Sequence, residues 1–126
     1  MKSMLAALAC AAALAAVPFA TAAADTPILR VVVVQPTDTA AYVKEVTTLR
    51  GMFKQLGIPA TLRVWRATYA GPEAGTIVVA LEFPNLQAVA SYSQTLRASP
   101  EATAQLAKVT ALRMLVSDSL YEELTK

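Results

Sequence analysis

The chain has 126 residues, 56% of them hydrophobic and 16% charged, with 11 Lys and Arg against 9 Asp and Glu. It holds no histidine, which removes the commonest metal ligand, the usual general base and the usual proximal haem ligand. Its cations are scattered rather than clustered, so neither nucleic acid nor a membrane surface has an electrostatic footprint here.

Residues 1–24 read as a secretory signal peptide: Lys2, an apolar run from Met4 to Val17, a breaking Pro18, then small residues. Cleavage is expected after Ala22 or Ala24, which places the protein in the periplasm or outside the cell. The run is too short and too rich in alanine for a stable membrane span. Cys10 falls inside it as a small apolar residue, with Ala7 where a lipoprotein signal would carry leucine. The exported chain then has no thiol and no disulfide. About 102 residues remain (25–126), one compact domain of net charge near +1.

In chain order, ILRVVVVQP (28–36) is a β-branched strand stopped by proline. Asp38 or Thr39 caps a helix whose Tyr42, Val46, Leu49, Phe53 and Leu56 form one apolar stripe, and Gly57 and Pro59 end it. TLRVWRATYA (61–70) is a second strand and TIVVALEF (76–83) a third, joined by the loose hairpin turn AGPEAG. Asn85 caps a second helix with Leu86, Val89, Ala90 and Leu96 inward. Ser99-Pro100-Glu101 stops and restarts it, with Leu106 and Val109 inward in the short piece that follows. ALRMLVSDSLY (111–121) is the last strand. The order β-α-β-β-α-β is that of a ferredoxin-like α+β domain, a four-stranded antiparallel sheet with two helices on one face.

Strand alternation sorts side chains by face. Ile77, Val79, Leu81 and Phe83 form the bulkier set and should meet the helices, with Leu62 and Val64. Arg63, Trp65 and Tyr69 then look away from them. In the last strand, strict alternation sets Met114, Val116 and Asp118 against Arg113, Leu115, Ser117 and Ser119. Neither face is mainly polar, and the helices cover one. Leaving large apolar side chains in water forfeits about 1.5–3 kcal/mol each, so a second copy is expected to pack sheet against sheet.

The βαββαβ order, PNLQAVASY opening the second helix, the ASPE interruption and the final LRMLVSDSLYEEL resemble the dimeric α/β-barrel superfamily over essentially all of the mature chain. The likeness is to small NIPSNAP-like and antibiotic-biosynthesis-monooxygenase-like proteins, many of unassigned function. This resemblance implies two ferredoxin-like sheets paired into a barrel. It also implies one of several roles: cofactor-free oxygenation of polycyclic phenols by Asn, Trp and Tyr, haem binding or degradation through His, or ligand binding. Without histidine, the haem mechanism lacks its central ligand.

The candidate residues admit two readings. Arg63, Trp65 and Tyr69, with Arg30 and Arg113, line either a pocket for a small aromatic ligand or a dimer interface, where Trp, Tyr and Arg are enriched. Glu82 is either the partner of a strand arginine or, if desolvated and unpaired, the general base of a cofactor-independent monooxygenase. Ser117-Asp118-Ser119 cannot form a nucleophile relay without histidine. Asn85 is explained by helix capping, Met52 and Met114 by core filling, and the residues imply no metal and no cofactor.

Overall fold

The computed structural model describes residues 25–125. The expected signal peptide lies outside them. Strand β1 spans Ile28–Pro36, helix α1 Thr39–Gln55, β2 Thr61–Arg66, β3 Ile77–Phe83, α2 Leu86–Ala98, α3 Pro100–Ala111 and β4 Arg113–Glu122. The four strands form one antiparallel sheet in the order β2-β3-β1-β4, so β1 and β3 are central. This is the ferredoxin-like α+β fold, with the second helical segment divided at Ser99.

Local chemistry sets the element boundaries. The Asp38 carboxylate accepts the Ala41 N–H at 3.0 Å, Asn85 accepts that of Ala88 at 2.8 Å, and Ser99 accepts that of Ala102 at 3.2 Å. Each satisfies an N–H that the helix itself leaves free. Helix α1 stops in a paired C-terminal motif: Gly57 N–H donates to Lys54 O and Ile58 N–H to Phe53 O. The motif needs the left-handed φ of 67° that Gly57 adopts. Pro100 then fits the first turn of α3, where its missing N–H costs nothing.

The core lies between the helices and one sheet face. Ile28, Val32 and Val34 of β1 and Ile77, Val79, Leu81 and Phe83 of β3 meet Tyr42, Val46, Leu49 and Phe53 of α1. From α2 and α3 come Ala88, Tyr92, Leu96, Ala102 and Val109. The α1 stripe and the β3 faces fall where the periodicity places them. In α2 the inward residues are Ala88, Tyr92 and Leu96, spaced by four, while Leu86 and Ala90 are exposed. Tyr92 replaces the expected Leu86 because its ring packs edge-on against Phe53 and Phe83, at centroid distances of 5.5 and 5.2 Å. Polar side chains tie α3 to its neighbours: buried Gln105 donates to the backbone and the carboxylate of Glu45 on α1, and the Thr103 hydroxyl donates to Leu96 O of α2.

Two departures from simple alternation matter for the site. Strand β2 ends at Arg66, not at Ala70, because the chain turns where Ala67 N–H bonds Thr76 O and Gly75 N–H bonds Ala67 O. A short 3₁₀ turn at Gly71–Glu73 completes the connection. In β4 the pairing with β1 shifts: Val33 faces Ser117, but Val34 faces Leu115. Val116 is thus the extra residue of a β-bulge.

Candidate functional site

Because of the bulge, Arg113 and Asp118 both face the helices, although five positions apart on one strand. Arg113 pairs with Pro36, Leu115 with Val34 and Asp118 with Val32, and Val32 and Val34 belong to the helix-side core. Arg30 shares that face, since it pairs with Leu81 of the core. Two arginines, one aspartate and two tyrosines thus converge under the helices. The expected opposition of Asp118 and Arg113 does not hold, and the physical reason is one inserted residue.

The Arg30 guanidinium grips Asp118 through a fork, Nε to Oδ1 at 2.9 Å and Nη2 to Oδ2 at 2.6 Å, while Nη1 donates to the Tyr92 hydroxyl at 3.3 Å. The hydrogen bonds from Arg30 hold the Asp118 carboxyl below the usual carboxylate range against partial desolvation, and the charges of Arg30 and Arg113 act in the same sense. The Asp118 bond likewise raises Arg30. A carboxylate so stabilised is a weak proton acceptor. Burial pushes both Tyr42 and Tyr92 above the ordinary phenol value, opposed by Arg113 in the first case and Arg30 in the second. Both phenols therefore stay protonated at neutral pH. They are hydrogen-bonding groups rather than bases.

Arg30, Arg113 and the two tyrosines border a cavity of about 60 Å³ between the layers, whose walls also include Phe53, Leu81 and Val109. Arg113 differs from Arg30: its Nε and Nη1 are buried and have no hydrogen-bond partner among the described residues. A larger depression of about 510 Å³ lies at the sheet end, bordered by Pro27, Ile28, Leu29, Glu82, Tyr121, Glu122 and Glu123. Its charged walls are all carboxylates. The smaller inter-layer cavity holds the convergent chemistry.

The other sequence candidates lie on the opposite face or off the sheet. Arg63 and Trp65 point away from the helices, as alternation predicts. Glu82 pairs with Arg63 at 3.6 Å, both side chains more than half exposed, so it is neither desolvated nor unpaired. Tyr69 lies beyond β2 in the turn, fully exposed, and does not share a pleat with Trp65. Met114 is 65% exposed on the open face rather than core filler. Among the described residues, no cluster of His, Cys, Asp or Glu could hold a metal, and no helix is long and apolar enough to cross a membrane. Sequence reasoning did not foresee Tyr42 and Tyr92 as cleft residues, because an inward tyrosine reads as ordinary core.

The fold defines a class, that of small ferredoxin-like α+β proteins. Three solved structures share it. A NIPSNAP family protein of unknown function from Agrobacterium tumefaciens is 19% identical, with TM-score 0.60 over 79% of this chain and 89% of its own. SnoaB, a cofactor-independent oxygenase from Streptomyces nogalater, is 13% identical, with TM-score 0.61 over 82% and 97%. A conserved protein of unknown function from Bacteroides thetaiotaomicron is 10% identical, with TM-score 0.59 over 79% and 100%. At these identities the likeness is one of fold. Neither a protein-family model nor a curated protein sequence matches the chain.

Proposed function

We propose that the protein is an exported homodimer, two sheets packed face to face as a dimeric α/β barrel, acting as a binding module rather than an enzyme. The observation that carries this reading is the uncovered sheet face. Trp65 is 56% exposed there and Tyr121 55%, beside Met114, Leu29 and Val31, with no helix above them. By strand register its charged residues are Arg63 and Glu82, which pair with each other. The face is therefore apolar and electrically neutral, and two copies meeting about a two-fold axis would bring no net repulsion. Light scattering at micromolar concentration tests this: a dimer is expected, converted to monomer by Val31→Glu with Trp65→Arg. A monomeric wild type overturns it.

A cofactor-independent oxygenase acting on a phenolic compound is the second reading, favoured by the fold shared with SnoaB. The sheet-end depression of about 510 Å³ beside Glu82 has the room, since drug-sized ligands fill roughly 300 Å³ or more. Against the reading stand the absence of Trp65 from that depression's walls and the ion-paired, exposed Glu82. Oxygen uptake with a polyphenol panel, lost in Glu82→Gln and Trp65→Ala, would establish the enzyme instead. Export is supported by the 1–24 pattern, and a mature N-terminus at Ala23 or Asp25 is its test.

A further inference from the structure

We propose that Arg113 is the anchor of a binding site for a small oxyanion of carboxylate size, set between the sheet and the helices. It is distinct from the open face and does not depend on dimerisation.

Charge balance is the first support. Arg30 is neutralised by Asp118 through two charge-assisted bonds. Arg113 has no carboxylate within ion-pair distance among the described residues. The cleft thus carries one uncompensated positive charge. Unmet donors are the second support, since Nε and Nη1 are both buried without a partner. A guanidinium cannot escape by losing its proton, as a buried lysine can. Buried donors on a charged group are costly unless a partner satisfies them.

The surroundings select the partner. Tyr42, buried and protonated, lies close enough to Arg113 to feel its charge, and its O–H is a second donor. Tyr92 accepts a bond from Arg30, which leaves its own proton free to donate. The remaining walls are apolar: Val46, Leu49, Phe53, Leu62, Val79 and Val109. Donors without matching acceptors, in a low-dielectric cleft, recognise an anion rather than a cation or a neutral amide.

Size sets the limit. The cavity of about 60 Å³ holds roughly four to six water-sized spheres. That accommodates one carboxylate group with a few ordered waters, and excludes a fused aromatic ring system. The same chemistry suits a free small carboxylate or the carboxylate end of a longer ligand whose body projects from the cleft.

The test uses the full mature chain and two probes, sodium acetate and sodium benzoate, in low-chloride buffer at constant ionic strength. The arginine Nε–Hε resonances are followed by NMR. Acetate should shift the Arg113 signal saturably, with a dissociation constant in the millimolar range, and leave Arg63 on the opposite face unmoved. Equal affinities for the two probes identify a site for free small anions. Benzoate binding at least tenfold tighter identifies the carboxylate end of a larger ligand. Either result supports the site. Arg113→Gln should weaken binding tenfold or more, and Arg113→Lys should recover part of it. The site is overturned if the Arg113 resonance shows no saturable shift up to 100 mM acetate, if Arg63 responds equally, or if Arg113→Gln binds as wild type. Because the wild-type resonance reports by itself, a variant that fails to fold does not block the test.

Discussion

Replacing Asp118 with asparagine probes the forked ion pair with Arg30. Asparagine keeps the shape and one acceptor oxygen but removes the charge that Arg30 grips at 2.9 and 2.6 Å. A hydrogen bond to a charged group contributes about 1.5–3 kcal/mol when shielded. Here the side chains of Arg30 and Asp118 are 30% and 34% exposed, so solvent screening reduces the pair to about 1–2 kcal/mol in all. For a domain of this size that is a fall of roughly 4–16 °C in melting temperature at neutral pH. The pH dependence follows from the direction of the shift. The folded Asp118 carboxyl titrates below its ordinary value of 3.8. Its contribution is therefore complete above the unfolded value and is lost as pH falls through the lower folded one. Urea unfolding of wild type and Asp118→Asn at pH 7, 4.5 and 2.5 is the assay, at one protein concentration because a dimer's stability depends on it. The gap should hold at pH 4.5 and narrow at pH 2.5. A gap of under ~0.3 kcal/mol at pH 7, or one as wide at pH 2.5, refutes the reasoning.

The contrasting pair should hardly matter: Glu82→Gln should change stability by less than about 0.5 kcal/mol, because Arg63–Glu82 is long and exposed. Phe83→Ala should cost about 3–5 kcal/mol in the same assay, since Phe83 is 2% exposed and its ring meets Tyr92. Gly57→Ala should cost about 1 kcal/mol by thermal melting, through the φ of 67° rather than through any clash. Deleting Val116 should remove the bulge and leave one regular alternation through β4, with Arg113 and Asp118 still facing the helices. Amide exchange should show the β1–β4 pairing kept on both sides of the deletion; loss of the pairing on either side would contradict it.

The order of elements and the three helix caps were legible because they rest on local chemistry: Asp38, Asn85 and Ser99 each act on an N–H three residues away. The β3 faces were legible because Ile77, Val79, Leu81 and Phe83 differ in bulk from their neighbours. The cleft was not. Its assembly depends on a bulge opposite Val33 and Val34, and MLVSDS holds no glycine or proline to announce one. Alternation through that point places Arg113 and Asp118 on opposite sides. Tyr69 was misplaced for a related reason. ATYA continues the strand pattern, yet the bonds that close the turn come from Gly75 and Thr76, several residues downstream.

The bulge at Val116 also divides β4 into two stretches that answer to different constraints. Residues 117–121 alternate in one phase and 113–115 in the other, so the sheet's two surfaces can be tuned separately along a single strand. A change of side chain at Arg113 alters the inter-layer cavity without disturbing Ser117, Ser119 or Tyr121 on the other face. Removing the extra residue would leave one continuous alternation, with Arg113 and Asp118 still on the helix side. What the segment must preserve is the face shared by Arg113 and Asp118, and the bulge is what lets an odd spacing of five keep it.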